Sequence, residues 1–413
     1  MSRRKVLVFN QFAMPRTQWG LTRNAELFSR LTGWDARIVA ANRDHYGQGT
    51  FTTTDPLFTL VPVPAYAGSS VRRVAGWVLF AARATAIGLR MRGVDAVYGS
   101  SPHLLAPLAA WVVAAARRKP LVVEVRDLWP ESIVEAGLLH RGSRLHRLLV
   151  GLETFLYRRA RSIVVVTPGW EDHFARLGID LAKVVVIPNG TDVDDRPVDR
   201  AAARTRHGIT GFTAVYAGAH GPANGLDQVL DAAKGLPEVR VLLLGAGSEK
   251  ARLMERAARE AVTNVEFRDP VPKDELREVL AACDVGIHVL APWQLLQAGL
   301  SPNKVFDYLA AGLPVVSNCA TGLRDVMTDG ECGRLGGPDD LTGCLSAVHE
   351  ASDHQRALWA TAGRTLVTDR FSRTASATLL ESVLVESCRG PEYGHHTQSS
   401  SPHGITSERA GNP

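Results

Sequence analysis

One stretch of the chain shows how a helix, a turn and a strand follow one another: Gly299-Leu-Ser-Pro-Asn-Lys-Val-Phe-Asp-Tyr-Leu-Ala-Ala-Gly-Leu-Pro-Val-Val316. Ser301 can cap a helix whose first-turn position is Pro302, and the pattern predicts that this helix covers residues 304–311. The apolar run 314–317 then predicts a buried strand. A helix followed directly by a buried strand is typical of βαβ units in a parallel sheet.

The same alternation of short β-branched runs and helical patterns extends along most of the chain. It predicts a series of strands in the first half, at 5–10, 36–41, 95–98, 121–125, 162–166 and 184–187, and a second series at 212–216, 239–244, 265–267, 285–289 and 314–317. The polar stretch 189–210 lies between the two series. The sequence therefore predicts an α/β protein of two doubly wound Rossmann-like halves, with a ligand cleft between them.

The predicted domain boundaries follow from this pattern. We expect an N-terminal domain over 1–195, a C-terminal domain over 196–370, and a helix over 371–388 that packs back on the N-terminal domain. The remaining tail, 389–413, is rich in Ser, His, Gly and Pro, and this composition predicts disorder. The pair His395 and His396 in that tail is better explained by a solvated segment than by a metal site.

Composition excludes several classes of protein. The 413 residues carry 47 Lys and Arg against 42 Asp and Glu, a net charge of +5, and 45% of them are hydrophobic, which is typical of a globular chain and not of a nucleic-acid surface. The five cysteines form no CxxC pair, which fits a reducing cytoplasm. Residues 6–9 are too short for a signal-peptide core, and no apolar run is long enough to span a bilayer.

The opening stretch also predicts an anion site. A helix that begins at Pro302 points its free backbone N–H groups and the positive end of its dipole toward a phosphate. Lys304 adds a cation, and Asp307, one turn further on, could bind two adjacent ribose hydroxyls. The alternative is a capped helix whose Lys304 and Asp307 simply form an ion pair.

Two glycine-rich strand exits strengthen the phosphate interpretation. They read Ala217-Gly-Ala-His-Gly-Pro-Ala-Asn-Gly225 and Gly245-Ala-Gly-Ser-Glu249. Glycine lets the backbone approach a diphosphate closely, and both loops open onto helices. Three such segments on one sheet edge predict a nucleotide-diphosphate cleft, although the chain has neither a Walker A lysine motif nor a complete dinucleotide fingerprint.

These residues resemble the retaining GT-B glycosyltransferases of family 4, particularly the bacterial O-antigen and capsule amino-sugar transferases. The resemblance covers residues 1–385. It is strongest at Val122-Val-Glu-Val-Arg-Asp-Leu-Trp-Pro-Glu-Ser132, Ile187-Pro-Asn-Gly-Thr-Asp192, Tyr216-Ala-Gly218 and Ser301-Pro-Asn-Lys-x-Phe-Asp-Tyr-Leu-Ala-Ala-Gly312.

The resemblance implies a set of donor-binding positions in the C-terminal half. Asp307 matches the carboxylate on the ribose, but the first carboxylate of the family, eight positions earlier, is replaced by Gly299. The Arg and Lys that usually hold the diphosphate are also absent, and His220 and Asn224 stand in that loop. The predicted donor-binding residues are Gly218, His220, Asn224, Gly245, Gly247, Ser301, Pro302, Asn303, Lys304 and Asp307, with Lys304 stabilising the leaving diphosphate.

The resemblance also implies reactive and acceptor-binding positions in the N-terminal half. Asp127 could orient the acceptor or accept its proton, with Arg126 near phosphate or acceptor charge; the alternative is an Arg126–Asp127 ion pair. Glu131 could bind acceptor hydroxyls or cap the following helix. Gly20 and His103 are further acceptor-side candidates, although a helix-start histidine without a role explains His103 equally simply.

The implied reaction moves a sugar with retention from a nucleotide-diphosphate donor to a sugar or polyprenyl-linked acceptor, without a metal or cofactor. The subgroup implies an N-acetylated hexose on UDP. Two alternatives remain open: a nucleotide-sugar epimerase of the same fold, and a non-catalytic nucleotide-binding or assembly partner.

A membrane surface is a further candidate partner. The stretch 71–92 contains five arginines and no acidic residue, and Val74, Trp77, Val78 and Ala81 fall on one helical side. Such a helix could lie on the inner, anionic face of the cytoplasmic membrane. An ordinary core-facing helix with an Arg-rich outer face explains the same residues.

Overall fold

Short apolar runs form the strands of two parallel sheets, as the alternation predicts. The computed structural model describes residues 3–16, 21–43, 49–65 and 71–389. In these ranges the first sheet has seven strands: β1 (Arg4–Phe9), β2 (Trp34–Ala41), β3 (Phe58–Val61), β4 (Ala96–Ser100), β5 (Leu121–Val125), β6 (Ser162–Val165) and β7 (Val184–Val186). The second has six: β8 (Thr213–Ala217), β9 (Arg240–Leu244), β10 (Val265–Arg268), β11 (Val285–His288), β12 (Val315–Ser317) and β13 (Gly333–Leu335).

Helices cover both faces of each sheet. Those that precede the second sheet in the chain are α1 (Arg23–Phe28), α2 (Val71–Arg90), α3 (Leu105–Arg117), α4 (Glu131–Glu135), α5 (Arg144–Arg159), α6 (Glu171–Arg176) and α7 (Arg200–His207). The later ones are α8 (Asp227–Gly235), α9 (Lys250–Arg259), α10 (Lys273–Ala282), α11 (Gln294–Ala298), α12 (Asn303–Ala310), α13 (Ala320–Leu323), α14 (Leu341–Glu350), α15 (Asp353–Arg370) and α16 (Arg373–Cys388).

Both sheets are doubly wound, and every strand pair in them is parallel. The strand orders are β3-β2-β1-β4-β5-β6-β7 and β10-β9-β8-β11-β12-β13. In each sheet the order reverses at its first strand, which is where α/β proteins bind ligands, beyond the carboxyl ends of the strands. Each half therefore has a ligand-binding edge, at the carboxyl ends of its strands, near the point where the order reverses.

Four apolar clusters form the cores, two for each sheet, one on either face. The last helix, α16, belongs to the first sheet, because Leu380 and Leu384 pack in the cluster that contains Phe28 and Trp34. Glu381 adds a polar contact by accepting hydrogen bonds from the backbone N–H groups of Thr32 and Gly33, both at 2.8 Å. The chain thus crosses between the halves twice, once after β7 and once before α16.

The structure corrects parts of the sequence prediction. Strands β3 and β13 were not predicted, since Phe-Thr-Leu-Val and Gly-Arg-Leu are too short to show a period. The joint 189–210, predicted without sustained structure, contains α7, whose N-cap Asp199 accepts from the backbone N–H of Ala202. The predicted tail, apart from Arg389, lies outside the described residues, as does Gly20.

A buried carboxylate is the main electrostatic constraint in the first half. Glu124, on the central strand β5, has no exposed surface, and its side chain accepts from Arg23 Nε at 2.8 Å, Ser100 Oγ at 2.6 Å and Asn24 Nδ2 at 3.1 Å. Burial alone would raise the pKa of Glu124, but the Arg23 and Arg126 charges and the Ser100 hydrogen bond outweigh it and lower the pKa to about 2. Ionised Glu124 therefore stabilises the fold above its ordinary pKa, and this contribution is lost as pH falls toward the folded-state pKa.

Arg23 also holds the first crossing of the chain between the halves. Its guanidinium donates to the carbonyl oxygens of Ile187 and Pro188, each at 2.7 Å. The charge that neutralises Glu124 thereby fixes the backbone that leaves β7.

Replacing Arg23 by Met tests this constraint. The variant leaves Glu124 buried without its nearest cation, so we expect the free energy of unfolding at neutral pH to fall by about 3–5 kcal/mol in urea titration. The control is Arg334→Met, which removes an exposed pair with Asp329 at 3.0 Å and should cost less than about 1 kcal/mol. An equal decrease in the free energy of unfolding in the two variants would contradict the role of Arg23 as the cation that neutralises buried Glu124.

Candidate functional site

A cavity of about 460 Å³ lies between the halves, at the carboxyl ends of both sheets. Its polar and charged lining comes from α1, the β5 exit, the crossing segment and α16 on one side and from α10 and α12 on the other: Thr22, Arg23, Glu26, Arg126, Asn189, Arg373, Ser376, Lys273, Asn303, Lys304 and Asp307. Glycines of the β8 and β9 exits complete the wall. The predicted cleft is therefore a feature of the structure.

Lys304 is held in this cavity by uncharged partners. Its Nζ donates to the Tyr216 hydroxyl at 2.7 Å and to Asn224 Oδ1 at 3.1 Å, and it lies 4.1 Å from the centre of the Tyr216 ring. Burial without a paired carboxylate lowers the pKa of Lys304 to about 7. The alternative ion pair with Asp307 is wrong, and the ammonium is positioned for an external anion.

The glycine loops lie close to Lys304, and they approach each other so closely that side chains do not fit between them. A Cβ on Gly218 would lie 3.2 Å from Lys304 Nζ, and one on Gly247 would lie 2.8 Å from the backbone N of His220. Gly245 packs on the Gly218 carbonyl in the same way. The exits of β8 and β9 therefore form one backbone surface beside the ammonium.

His220 supports this surface from behind. Its side chain is buried, and its backbone exchanges hydrogen bonds with Ala246 O at 2.8 Å and Glu249 N at 2.9 Å. Burial, with the charges of Lys250 and Lys304, lowers the pKa of His220 to about 4, so the ring is neutral near pH 7. Neither His220, Asn224 nor Gly247 lines the cavity, and their part in donor binding stays a prediction.

Asp307 lies where the cavity meets a second one of about 820 Å³. Burial raises the pKa of Asp307, partly offset by the charges of Arg373 and Lys273 and by a hydrogen bond with the Thr191 side chain. A carboxylate flanked by cations and open to the cavity can accept hydrogen bonds from a diol.

Ser301 does not cap α12, in contrast to the prediction. The N-cap position is Pro302, and the Ser301 hydroxyl instead accepts from the backbone N–H of Asn189 at 2.7 Å. Asn189 also donates through its side-chain Nδ2 to the Ser301 carbonyl oxygen, at 2.6 Å. The serine thus fastens the start of α12 to the first crossing, and the helix N-terminus stays open beside Pro302 and Asn303, which line the cavity.

Gly299 also joins the halves, which explains why it carries no carboxylate. A Cβ at this position would lie 2.5 Å from Thr167 Oγ1 and 2.9 Å from the Cα of Gly169, both on the β6 exit of the first half. Leu295 and Ala298 of α11 pack against an apolar cluster of the first half that includes Val165 of β6. Glu135 of α4 accepts a hydrogen bond from the Leu295 N–H at 2.9 Å. A glutamate at residue 299 has no room in this arrangement.

Arg126 and Asp127 diverge at the end of β5. Arg126 lines the cavity, whereas Asp127 turns back to hydrogen bond with the Ser132 side chain and the Leu128 N–H. Burial raises the pKa of Asp127. The alternative of an Arg126–Asp127 ion pair is wrong, and Asp127 instead shapes the turn into α4.

Two acceptor-side candidates, Glu131 and His103, do not line the cavity. Glu131 pairs with Arg141 at 2.6 Å and His146 at 3.3 Å, and it does not cap α4. His103 is buried between Phe12 and Trp77, with Nε2 at 2.8 Å from Gln11 Oε1. Burial and the Arg73 charge lower the pKa of His103 to about 3.

The structure therefore brings together seven of the predicted site residues and adds others. The seven are Arg126, Gly218, Gly245, Pro302, Asn303, Lys304 and Asp307. Four charged residues of the wall were missed: Arg23, Glu26, Lys273 and Arg373. Glu26 pairs with Arg30, Arg373 and Lys273 at 2.7, 3.3 and 3.5 Å, which links α1 to α16 and α10.

Comparison with known families assigns both halves. Residues 21–190 match the family described as Glycosyl transferase 4-like domain, and residues 211–354 match Glycosyl transferases group 1. The two ranges cover most of the chain, which is therefore a glycosyltransferase family 4-like protein.

Curated relatives agree with this assignment. A D-inositol 3-phosphate glycosyltransferase of Mycobacteroides abscessus is 29% identical over 289 residues, which are 67% of this chain and 60% of the relative. A probable glycosyltransferase, WbjE, of Pseudomonas aeruginosa is 27% identical over 238 residues, 55% of this chain and 57% of the relative. The chain spans about three fifths of the length of the first such relatives, 60% and 59%.

Solved structures define the fold class. Sucrose-phosphate synthase from Thermosynechococcus elongatus superimposes with a TM-score of 0.75 at 16% identity, covering 93% of this chain and 99% of the other. The Anabaena protein Alr3699/HepE in complex with UDP and glucose gives 0.70 at 20% identity, covering 93% and 100%. The chain has the GT-B fold.

Two features are absent from the described ranges. No helix there is long and apolar enough to cross a membrane. No group of three or more His, Cys, Asp and Glu side chains in the same ranges could hold a metal ion, and metal independence stays a prediction.

The Gly299 contact can be tested by adding one methyl group. Gly299→Ala should lower the free energy of unfolding by about 1–3 kcal/mol, because the Cβ overpacks against the β6 exit. Gly337→Ala is the matched control, since a Cβ there meets nothing within 4 Å. Thermal unfolding measures both, and an unchanged melting temperature for Gly299→Ala would refute the contact.

Proposed function

We propose that the chain is a retaining glycosyltransferase that moves a sugar from a nucleotide-diphosphate donor to a sugar or lipid-linked acceptor. One observation carries this proposal: Lys304, with uncharged partners, and Asp307, with a carboxylate open to the cavity, lie one helical turn apart in the interdomain cavity. The family matches and the GT-B fold support it.

The donor we propose is UDP linked to an N-acetylated hexose. Asp307 would accept hydrogen bonds from the ribose hydroxyls, while Lys304, the Gly218 and Gly245 loops and the α12 N-terminus would hold the diphosphate. A solved GT-B neighbour has UDP and glucose bound, which supports the choice of nucleotide. The N-acetyl group rests on the subgroup resemblance alone.

The proposed chemistry uses charge more than a dedicated nucleophile. As the bond from the sugar to the diphosphate breaks, negative charge grows on the departing oxygen, and protonated Lys304 stabilises it in a partly desolvated site. The acceptor hydroxyl attacks from the same face and passes its proton to the leaving phosphate, so the anomeric configuration is retained. The Asp127 carboxyl group hydrogen bonds with the Ser132 side chain and the Leu128 N–H, so we do not assign it as the base. We propose instead that Asp127 holds the conformation of the loop after β5.

The direct test is a donor panel assayed with and without acceptor sugars, followed by NMR of the product anomer. We expect one UDP-sugar to be consumed only with acceptor, with retention. Turnover of donor without acceptor would favour the epimerase alternative. Binding of UDP without any transfer would favour the non-catalytic alternative, and an inverted product would refute retention.

The pKa of Lys304 predicts how donor binding depends on pH. Above about pH 7 the free chain loses the ammonium proton, and an anion must restore it on binding, so affinity for UDP should fall by up to about tenfold per pH unit between about pH 7.5 and 9.5. Lys304→Met should bind UDP more weakly at neutral pH, lose most of this slope, and reduce turnover by about 100-fold or more.

Calorimetry at several pH values measures the slope. Lys234→Met is the matched control, because Lys234 pairs with Glu260 at 3.6 Å on the surface, outside the cavity. Full turnover in Lys304→Met, or the same slope as in the unmodified chain, would contradict the role of Lys304.

We also propose that the enzyme works in the cytoplasm on the inner face of the membrane, in the synthesis of a glycan or glycoconjugate. Helix α2 supports this. Val71, Val74 and Val78 are 86%, 50% and 55% exposed, and Arg72 and Arg83 are exposed beside them. Trp77, predicted to share this apolar side, instead packs on His103 and Trp129.

The proposed membrane face predicts vesicle binding. The unmodified chain should sediment with vesicles of anionic phospholipid at low salt, and Val74→Asp with Val78→Asp should weaken this binding at least about tenfold. Leu358→Asp is the control, because Leu358 on α15 is similarly exposed, at 50%. Equal sedimentation of all three proteins, or none, would refute the membrane face.

A further inference from the structure

One guanidinium in the cavity has no anionic partner of its own. Arg126 follows β5, and its backbone N–H donates to Ser101 Oγ at 2.7 Å, which fixes the start of the loop. Its side chain lines the cavity. Within the described residues it makes no side-chain hydrogen bond and no ion pair within 4.0 Å.

The nearest carboxylates are already engaged. Glu124 accepts from Arg23, Asn24 and Ser100, so both of its oxygens are occupied. Asp127 hydrogen bonds with the Ser132 side chain and the Leu128 N–H. Arg126 is partly buried, and the Glu124 charge acts on it without a direct ion pair. A charge removed from water is most stable when it is paired.

The other cations of the cavity differ in this respect. Arg23 is paired with Glu124, and Lys273 and Arg373 are both paired with Glu26. Lys304 lacks a carboxylate, but it belongs to α12 of the second half, where the proposed diphosphate lies. Arg126 belongs to the first sheet, which the proposed function gives to the acceptor. Among the described residues, Arg126 and Lys304 are therefore the two cations of the cavity without an ion-pair partner, one from each half.

We propose that the acceptor carries an anionic group, a phosphate or a carboxylate, and that Arg126 binds it. This rests on the proposed function for the identity of the bound molecule, but the anion site itself does not. A guanidinium can offer two parallel N–H donors to either group, which would orient the acceptor as well as attract it. The acceptor class is thus a sugar phosphate, a lipid-linked phosphate or diphosphate sugar, or an acidic sugar.

The test uses inorganic phosphate and acetate as probes, titrated into the full chain with and without saturating UDP. With UDP bound we expect one phosphate or acetate, at the Arg126 site. Without UDP the diphosphate site beside Lys304 is open as well and can bind a second anion. Arg126→Gln should weaken the binding by about tenfold or more. Arg147→Gln, an exposed arginine of α5, should leave it unchanged. Tighter phosphate than acetate assigns a phosphorylated acceptor, and the reverse assigns an acidic sugar.

Three results would overturn the proposal. UDP that displaces the anion would show that Arg126 serves the donor diphosphate. Equal anion binding by Arg126→Gln and the unmodified chain would remove the site. So would no anion binding in either condition. Because the loss of anion binding in Arg126→Gln is measured both with and without UDP, failure of UDP to bind would count against the proposed function and not against this site.

Discussion

The ionised carboxylate of Glu124, buried in the first sheet, is the constraint from which the site is organised. Its charge requires Arg23, and Arg23 holds the carbonyl groups of Ile187 and Pro188 where the chain crosses to the second half. The next residue, Asn189, donates two hydrogen bonds to Ser301, which precedes α12: one to the Ser301 hydroxyl and one to its carbonyl oxygen. One continuous set of hydrogen bonds thus runs from the core of the first sheet to the helix that carries Lys304 and Asp307.

Close backbone contacts complete the arrangement. Gly299 lies against the β6 exit of the first half. Gly218 lies against Lys304, and Gly245 packs on the Gly218 carbonyl. At Gly245 and Gly299 the contact leaves no room for a Cβ, and the backbone of Gly218 and Gly245 forms part of the cavity wall. Such a wall can place N–H donors near an anion without the entropy cost of ordering long side chains.

Much of this could be predicted from the sequence, because it depends on local pattern. The strands follow from apolar runs, and Lys304 and Asp307 follow from spacing on one helix. Long-range partners could not be predicted in this way: Ser301 hydrogen bonds with Asn189, more than a hundred positions away, and Asn224 accepts from Lys304. The sequence did contain one unused signal. Glu124 interrupts the apolar strand Leu121–Val125, and a charge in a buried strand requires a partner.

A crystal structure of the chain with UDP tests the central claim most directly. Our account predicts the diphosphate within hydrogen-bond distance of Lys304 Nζ and of the Gly218 and Gly245 loops, with the ribose hydroxyls at the Asp307 carboxylate. It also predicts that the Arg126 guanidinium stays free of the nucleotide. UDP bound elsewhere, for example in the second cavity beside Asp194 and Arg277, or a nucleotide that leaves Lys304 bound only to Tyr216 and Asn224, would contradict it.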